Sequence, residues 1–258
     1  MAPFIVQNQG AASPFVLLGD HAGREIPPVL AGLGLPARAL DLHIAWDIGV
    51  AGYGEALAAR LGAAFIRQRY SRLVIDCNRA PGRPDAIPEV SDGVTVPGNL
   101  GLSDAQRAAR LRDIAEPYHR AIAAEIDARS GAPTLVVALH SFTPVFQGFV
   151  RPWRFGVLHL GSSPFSTAVL AALQARLGEA LVGDNQPYRM DEVDYTIPRH
   201  ALARGLDYLE LEVRQDLVAD AAGQAAVAAL LAELLPAALA SLGSSPSGGS
   251  PAAGREGG

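Results

Sequence analysis

At 258 residues, with 49% hydrophobic residues and a formal net charge of −5, the chain can bury a substantial core and carries no surplus of basic charge. All 21 basic residues are arginine, scattered rather than striped, which argues against a nucleic-acid groove or a polybasic membrane patch. Cys77 is the single cysteine, so an intrachain disulfide and a multi-cysteine zinc site are both excluded.

The N-terminal residues Met1 to Asn8 have neither a basic n-region nor a long apolar h-region. No 18-residue apolar run stands outside alanine-rich amphipathic stretches, and a soluble cytoplasmic protein is the expectation. Residues 1–242 read as one domain, without internal repeats. The Ser/Gly/Pro-rich stretch 243–258 has no apolar periodicity and reads as a disordered tail.

In chain order, Phe15-Val16-Leu17-Leu18 predicts a short strand, ended by Gly19-Asp20-His21-Ala22-Gly23. Pro27-Pro28 then forbids a continuous helix. Asp47 to Leu61 has helical spacing despite three glycines, with Asp47 placed to cap it. Ala64-Phe65-Ile66 and Leu73-Val74-Ile75 read as successive strands. Proline- and glycine-rich residues 81–101 predict one long loop, a length that in a compact domain points to function or mobility. Ser103, followed by Asp104 and Gln106, opens a helix running to about Arg129. Thr134 to Leu139 is the clearest buried strand, and Phe155 to Leu160 is another. Ser166 to Leu177 is helical, Tyr208 to Val213 alternates with period two, and an apolar helix covers Ala221 to Leu242. Strands alternating with helices predict an α/β fold whose mostly parallel sheet is covered on both faces.

Several apolar runs end in polar clusters, which packing explains poorly. They deliver His21, the group Asp76/Asn78/Arg79, His140 and Glu212. Ligands of open α/β sheets bind outside the carboxyl ends of the strands. Arg72, Asn78 and Arg79 suit an anionic substrate there, because guanidinium pairs with carboxylate through parallel hydrogen bonds. Two imidazoles and a carboxylate form the ligand set of a catalytic zinc, which keeps one position open. A separate glutamate could take a proton from water, and an arginine could hold an oxyanion. Glu210 and Glu212 share a strand face, so alternation alone does not choose between them.

The blocks Asp20-His21-Ala22-Gly23, His43 to Gly49, Tyr70 to Arg79, Leu139 to Pro144, Arg151-Pro152-Trp153, Gly183 to Tyr188 and Glu212 to Leu217 together resemble the N-formylglutamate amidohydrolase family. The resemblance spans about residues 13–218. That family is distantly related to the zinc carboxypeptidases and aspartoacylase. The resemblance therefore implies a phosphorylase/hydrolase-like, zinc carboxypeptidase-like three-layer αβα fold with a mixed, mostly parallel central sheet. It implies His21 and His140 as imidazole ligands of one divalent ion, Zn2+ in the first instance, with cobalt and nickel also open to such ligands.

The related peptidases carry a glutamate three residues after the first histidine. Arg24 stands there in this chain, and Glu25, one further on, sits in the turn before Pro27-Pro28. Asp47 is thus preferred over Glu25 as third ligand, with helix capping the other role open to it. Asn78-Arg79 looks like the pair that clasps a substrate carboxylate, and Arg72 like the arginine that polarises the scissile carbonyl. The Glu-x-Arg-Gln-Asp-Leu block favours Glu212 as general base, with Arg214 restraining it or meeting the substrate side chain. Asp76 is expected to hold Arg79 or a backbone amide, Cys77 to lie in the core, and His159 and His200 to be structural. The expected activity is removal of an N-acyl, foremost N-formyl, group from a small anionic amino acid, without a nucleic-acid or membrane partner. A deacylase for another N-acyl amino acid and a metal-free binding module are the alternatives.

Overall fold

The computed structural model describes residues 2–129, 131–161 and 163–243. The strands are β1 (Phe4–Gln7), β2 (Phe15–Gly19), β3 (Ala64–Gln68), β4 (Val90–Ser91), β5 (Val94–Thr95) and β6 (Leu135–Phe142). They continue with β7 (Val145–Phe146), β8 (Phe149–Val150), β9 (Phe155–Leu158), β10 (Val182–Asp184) and β11 (Asp207–Arg214). The α-helices are α1 (Val50–Leu61), α2 (Asp104–Arg110), α3 (Glu116–Asp127), α4 (Pro164–Leu177), α5 (Thr196–His200) and α6 (Ala221–Gly243).

Seven strands form one sheet in the order β1-β3-β2-β6-β11-β9-β10. The central strands β3, β2, β6 and β11 are parallel to one another, β1 and β9 run antiparallel to their inner neighbours, and β10 is parallel to β9. This is the mixed, mostly parallel sheet expected. Alternate residues feed two cores, as a sheet covered on both faces requires. Phe15, Leu17, Val137, Leu139, Leu209 and Leu211 pack beneath α1, α4 and α6. Val16, Leu18, Ile66, Val136, Ala138 and Tyr208 meet Ile114, Tyr118, Ile122 and Ile197 on the opposite side. By length and composition alone α6 could cross a membrane, but its Val227, Leu231, Leu234 and Leu235 are buried on α1 and α4.

The helix that Ser103 opens starts with a capping box, Ser103 Oγ accepting from Gln106 N. It is interrupted by a π-type turn at Leu111–Ala115 that separates α2 from α3. Pro117 has no N–H to give to the preceding turn, and the ladder resets there, Glu116 N bonding Leu111 O.

Two expectations are corrected. Leu73-Val74-Ile75 is buried but is not a strand: Val74 N bonds Ser71 O in a turn, and Asp76 N bonds Ala86 O. Both edges of β3 are already occupied, by β1 and β2, so this run finds its burial in side-chain packing beyond the sheet. Asn99 and Arg110 supply its hydrogen bonds instead. Asn99 Nδ2 donates to Leu73 O and Pro88 O, while Arg110 donates to Val74 O, Asn99 Oδ1 and Gly98 O. Second, Asp47 does not cap α1, whose N-cap is Gly49 at φ 87°. Stretch 81–101 is a loop with short 3-10 turns and the β4–β5 hairpin. The tail read from the sequence lies outside the described residues, apart from Gly243 at the end of α6.

Candidate active site

Three neighbouring parallel strands deliver the principal side chains. Asp20 and His21 follow β2 directly. His140 stands on β6 in register with Glu212 of β11, and Glu210 lies one alternation earlier on the same face. Behind His21 the chain passes so close to the end of β3 that a Cβ on Gly23 would lie 2.0 Å from Arg69 O. Asp47 N donates to His21 O at 2.9 Å, which fixes the segment before α1 against the end of β2. Arg72 N and Ser71 Oγ both donate to Ala45 O, at 3.2 and 2.6 Å, tying in the irregular stretch after β3.

These ties bring His21, Asp47 and His140 together, each buried and each offering one ligand atom within 4.8 Å of the others. Asp47 Oδ2 is 2.9 Å from His140 Nδ1 and 3.4 Å from His21 Nδ1. The ring centroids of the two histidines are 5.1 Å apart. The outer nitrogens also face carboxylates, His21 Nε2 at 2.7 Å from Asp76 Oδ1 and His140 Nε2 at 3.8 Å from Asp20 Oδ2. Asp20 Oδ1 in turn accepts from Tyr118 Oη at 2.8 Å. Glu25, the other candidate ligand, is exposed and paired with Arg69.

Burial opposes charge on all of these groups, and their neighbours decide the outcome. Burial and Arg72 disfavour imidazolium at His21, but Asp76 and Asp47 outweigh them and raise its pKa. His140 is raised further, against burial, by its hydrogen bond and charge contact with Asp47. The two histidines hold Asp47 far below the usual carboxylate range despite its burial. Glu210 and Glu212 lack such support. Burial pushes Glu210 up to about 8, and Glu212 up to about 7 against the opposing charge of His140. A carboxyl poised near neutrality can both accept and return a proton.

The cavity over this cluster has a volume of about 480 Å3 and is lined by Arg72, Asn78, Arg79, Tyr188, Arg189 and Asp194 as well as the histidines and glutamates. A larger cavity of about 700 Å3 adjoins it and shares Arg79, but is lined by none of His21, Asp47, His140 and Glu212. Chemistry, not volume, selects the smaller one. Arg72 grips Asp76 through Nε and NH2, at 3.1 and 2.6 Å, and reaches Asp47 at 3.5 Å. Asp76 therefore serves Arg72, His21 and the Asn78 amide rather than Arg79.

Asn78 reaches the cavity wall with its side chain already committed. Its Oδ1 accepts from Tyr195 N and Thr196 N, both at 2.9 Å, and its Nδ2 donates to Asp194. Arg79 pairs with Asp85 at 3.1 Å and lies 3.8 Å from Asp194. Arg214 is not brought to the cavity: it chelates Asp216 and donates to the carbonyls of Arg151 and Trp153. Cys77 is buried in the core, though on the irregular stretch and not on a strand. His159 pairs with Asp184, and His200 with His119, away from the cluster. Sequence reasoning assigned no role to Tyr188 or Arg189. The three-residue strand β10, which precedes them, is too short to register as a periodic signal.

The family match places this α/β chain among hydrolases that act on amide bonds. More narrowly, residues 13–219 match the N-formylglutamate amidohydrolase family, and the chain belongs to that family. It is similar to the crystal structure of a gene product from Agrobacterium tumefaciens, at 36% identity and a TM-score of 0.89, over 94% of this chain and 97% of that one. It shares its fold with the N-formylglutamate amidohydrolase from Ralstonia eutropha JMP134, at 19% identity and a TM-score of 0.62, over 93% of this chain and 98% of that one. No curated protein matches the chain significantly.

Proposed function

We propose that this chain hydrolyses the amide of an N-acyl acidic amino acid, foremost N-formyl-L-glutamate and water to formate and L-glutamate. The observation that carries the reading is the convergence of His21, Asp47 and His140 beside the buried Glu212. The donor set fits a divalent cation, Zn2+ in the first instance: His21 Nδ1 is buried with no hydrogen-bond partner among the described residues, facing a carboxylate oxygen that also meets His140 Nδ1. When bound, such an ion supplies Lewis acidity, acidifying water and polarising a carbonyl.

The chain's own groups do the rest. As carboxylate, Glu212 accepts the proton of the attacking water; as acid, it returns that proton to the departing nitrogen. Arg72, held flat by Asp76, presents positive charge to the oxyanion that develops on the acyl carbonyl. Arg79 takes the α-carboxylate, while Asn78 holds the 194–196 segment in place beside it.

The test is formate release from N-formyl-L-glutamate before and after chelation and after zinc is restored. Activity should vanish on chelation and return with zinc; unchanged turnover after complete metal removal refutes the metal reading. Glu212→Gln should lower kcat by at least about a hundredfold without loss of thermal stability. Unaltered turnover removes Glu212 as the base.

A further inference from the structure

One wall of the cavity carries hydrogen-bond donors that the protein does not use. Tyr188 lines the cavity, and its Oη accepts from Arg151 NH1 at 3.1 Å. An arginine only donates, so the phenol's own hydrogen must find another acceptor, and the described residues provide none. Burial and the charge of Glu212 push this phenol up, so it retains that hydrogen near neutral pH.

Arg151 is itself unusual in being only 4% exposed without a carboxylate partner among the described residues. Its guanidinium lies over Phe142, Phe146 and Tyr188, 5.7, 4.9 and 4.8 Å from the ring centroids. Such stacking supports a buried cation but leaves its field uncompensated. Arg189, next along the chain, lines the same cavity and also pairs with no carboxylate among the described residues.

The nearby acids are engaged elsewhere. Asp191 accepts from Val193 N, and Asp194 from Asn78 Nδ2 and Asp191 N. The other cavity arginines, Arg72 and Arg79, each already face carboxylates. Among the described residues, a guanidinium without a carboxylate partner and an O–H without an acceptor therefore adjoin at Tyr188 and Arg189, in a cavity also lined by Asp191, Asp194, Glu210 and Glu212.

We infer that Tyr188 and Arg189, backed by Arg151, form the subsite that reads the side-chain carboxylate of an acidic substrate. The assignment rests on the proposed N-acyl amino acid hydrolysis and adds its selectivity. Tyr188 donates its hydroxyl hydrogen to one carboxylate oxygen, and Arg189 supplies the opposing charge. Arg79 is left for the α-carboxylate. A neutral side chain of the same shape gains neither the charge contact nor the full hydrogen bond.

The experiment compares N-formyl-L-glutamate with its neutral isostere N-formyl-L-glutamine on the zinc-supplemented enzyme, its Tyr188→Phe variant and its Arg189→Met variant. Wild type should favour the acid by at least about tenfold in kcat/KM. Each variant should raise KM for the acid by about tenfold and for the amide substrate by clearly less, with kcat for the acid nearly unchanged. Equal losses on both substrates, or a fall in kcat at constant KM, overturn the assignment. Calorimetric binding of the same two compounds separates the two readings. Preferential binding of the acid with no hydrolysis of either refutes the proposed reaction and keeps the subsite. Hydrolysis of both without preference keeps the reaction and refutes the subsite. Absence of both binding and hydrolysis refutes both.

Discussion

Replacing His200 by leucine should make the fold less sensitive to acid, by about 2 kcal/mol between about pH 7.5 and about pH 5. His200 Nε2 lies 3.0 Å from His119 Nδ1, His119 Nε2 lies 3.0 Å from Cys77 O, and His200 Nδ1 is buried without a hydrogen-bond partner among the described residues. Burial lowers His119 to about 4, with Asp20 opposing, and lowers His200 to about 3, with the charge of His119 adding to the effect. Both are thus neutral in the folded protein where an unfolded chain, titrating near 6.5, takes up protons.

A depressed folded pKa gives stability that is present above the unfolded value and lost as pH falls. At about pH 5 an unfolded histidine is favoured by RT ln(1 + 10^1.5), or about 2 kcal/mol, and at about pH 7.5 by about 0.1 kcal/mol. The pair therefore accounts for about 4 kcal/mol of acid lability, half of it removed by the substitution. The lost hydrogen bond destabilises the variant at both pH values and cancels in the comparison. Urea unfolding followed by the fluorescence of Trp46 and Trp153 measures the two gaps. If wild type and variant lose the same stability on acidification, the neutral buried pair is refuted.

Two further predictions concern groups that act on the site from behind. Asp20→Asn should weaken zinc binding tenfold to a hundredfold in chelator competition, because Asp20 is the carboxylate behind His140. Tyr118→Phe, which frees Asp20, should weaken it less. Asn78→Ala should cost about 2–4 kcal/mol in urea unfolding, since it strips the acceptor from the amides of Tyr195 and Thr196. The same variant should lower kcat/KM through disorder of the segment carrying Asp194.

The parts of the fold that could be read from sequence were those where one physical signal dominates. Phe15 to Leu18, Leu135 to Leu139 and Tyr208 to Val213 are apolar because they pair on both edges at the middle of the sheet. Their polar endings, His21, His140 and Glu212, could be recognised for the same reason. Leu73-Val74-Ile75 carries an identical apolar signature without any pairing partner, since burial and strand pairing are independent constraints that residue pattern alone does not separate. Asp47 was ambiguous because capping and ligation both ask for a carboxylate near a helix N-terminus, and the sequence does not fix where the helix begins. Gly49, at positive φ, takes over the N-terminus and releases that carboxylate. Strands β1 and β10, with four and three residues, carry too few positions for alternation to be seen. The free hydrogen of Tyr188 is a property of its contact with Arg151, 37 residues away, and no local pattern encodes it.

The bonds from Asn99 and Arg110 to the stretch around Leu73 and Val74 have an implication for how this enzyme can vary. The arginines proposed to handle anions ride on a cantilever outside the sheet, bolted at its far side to a helix that never touches the cavity. Its tuning screws are therefore remote. A change at Arg110 should be felt at Arg72 and Arg79, and through Asp76 and Asp47 at the histidine cluster as well, so a residue outside the cavity bears on both binding and chemistry.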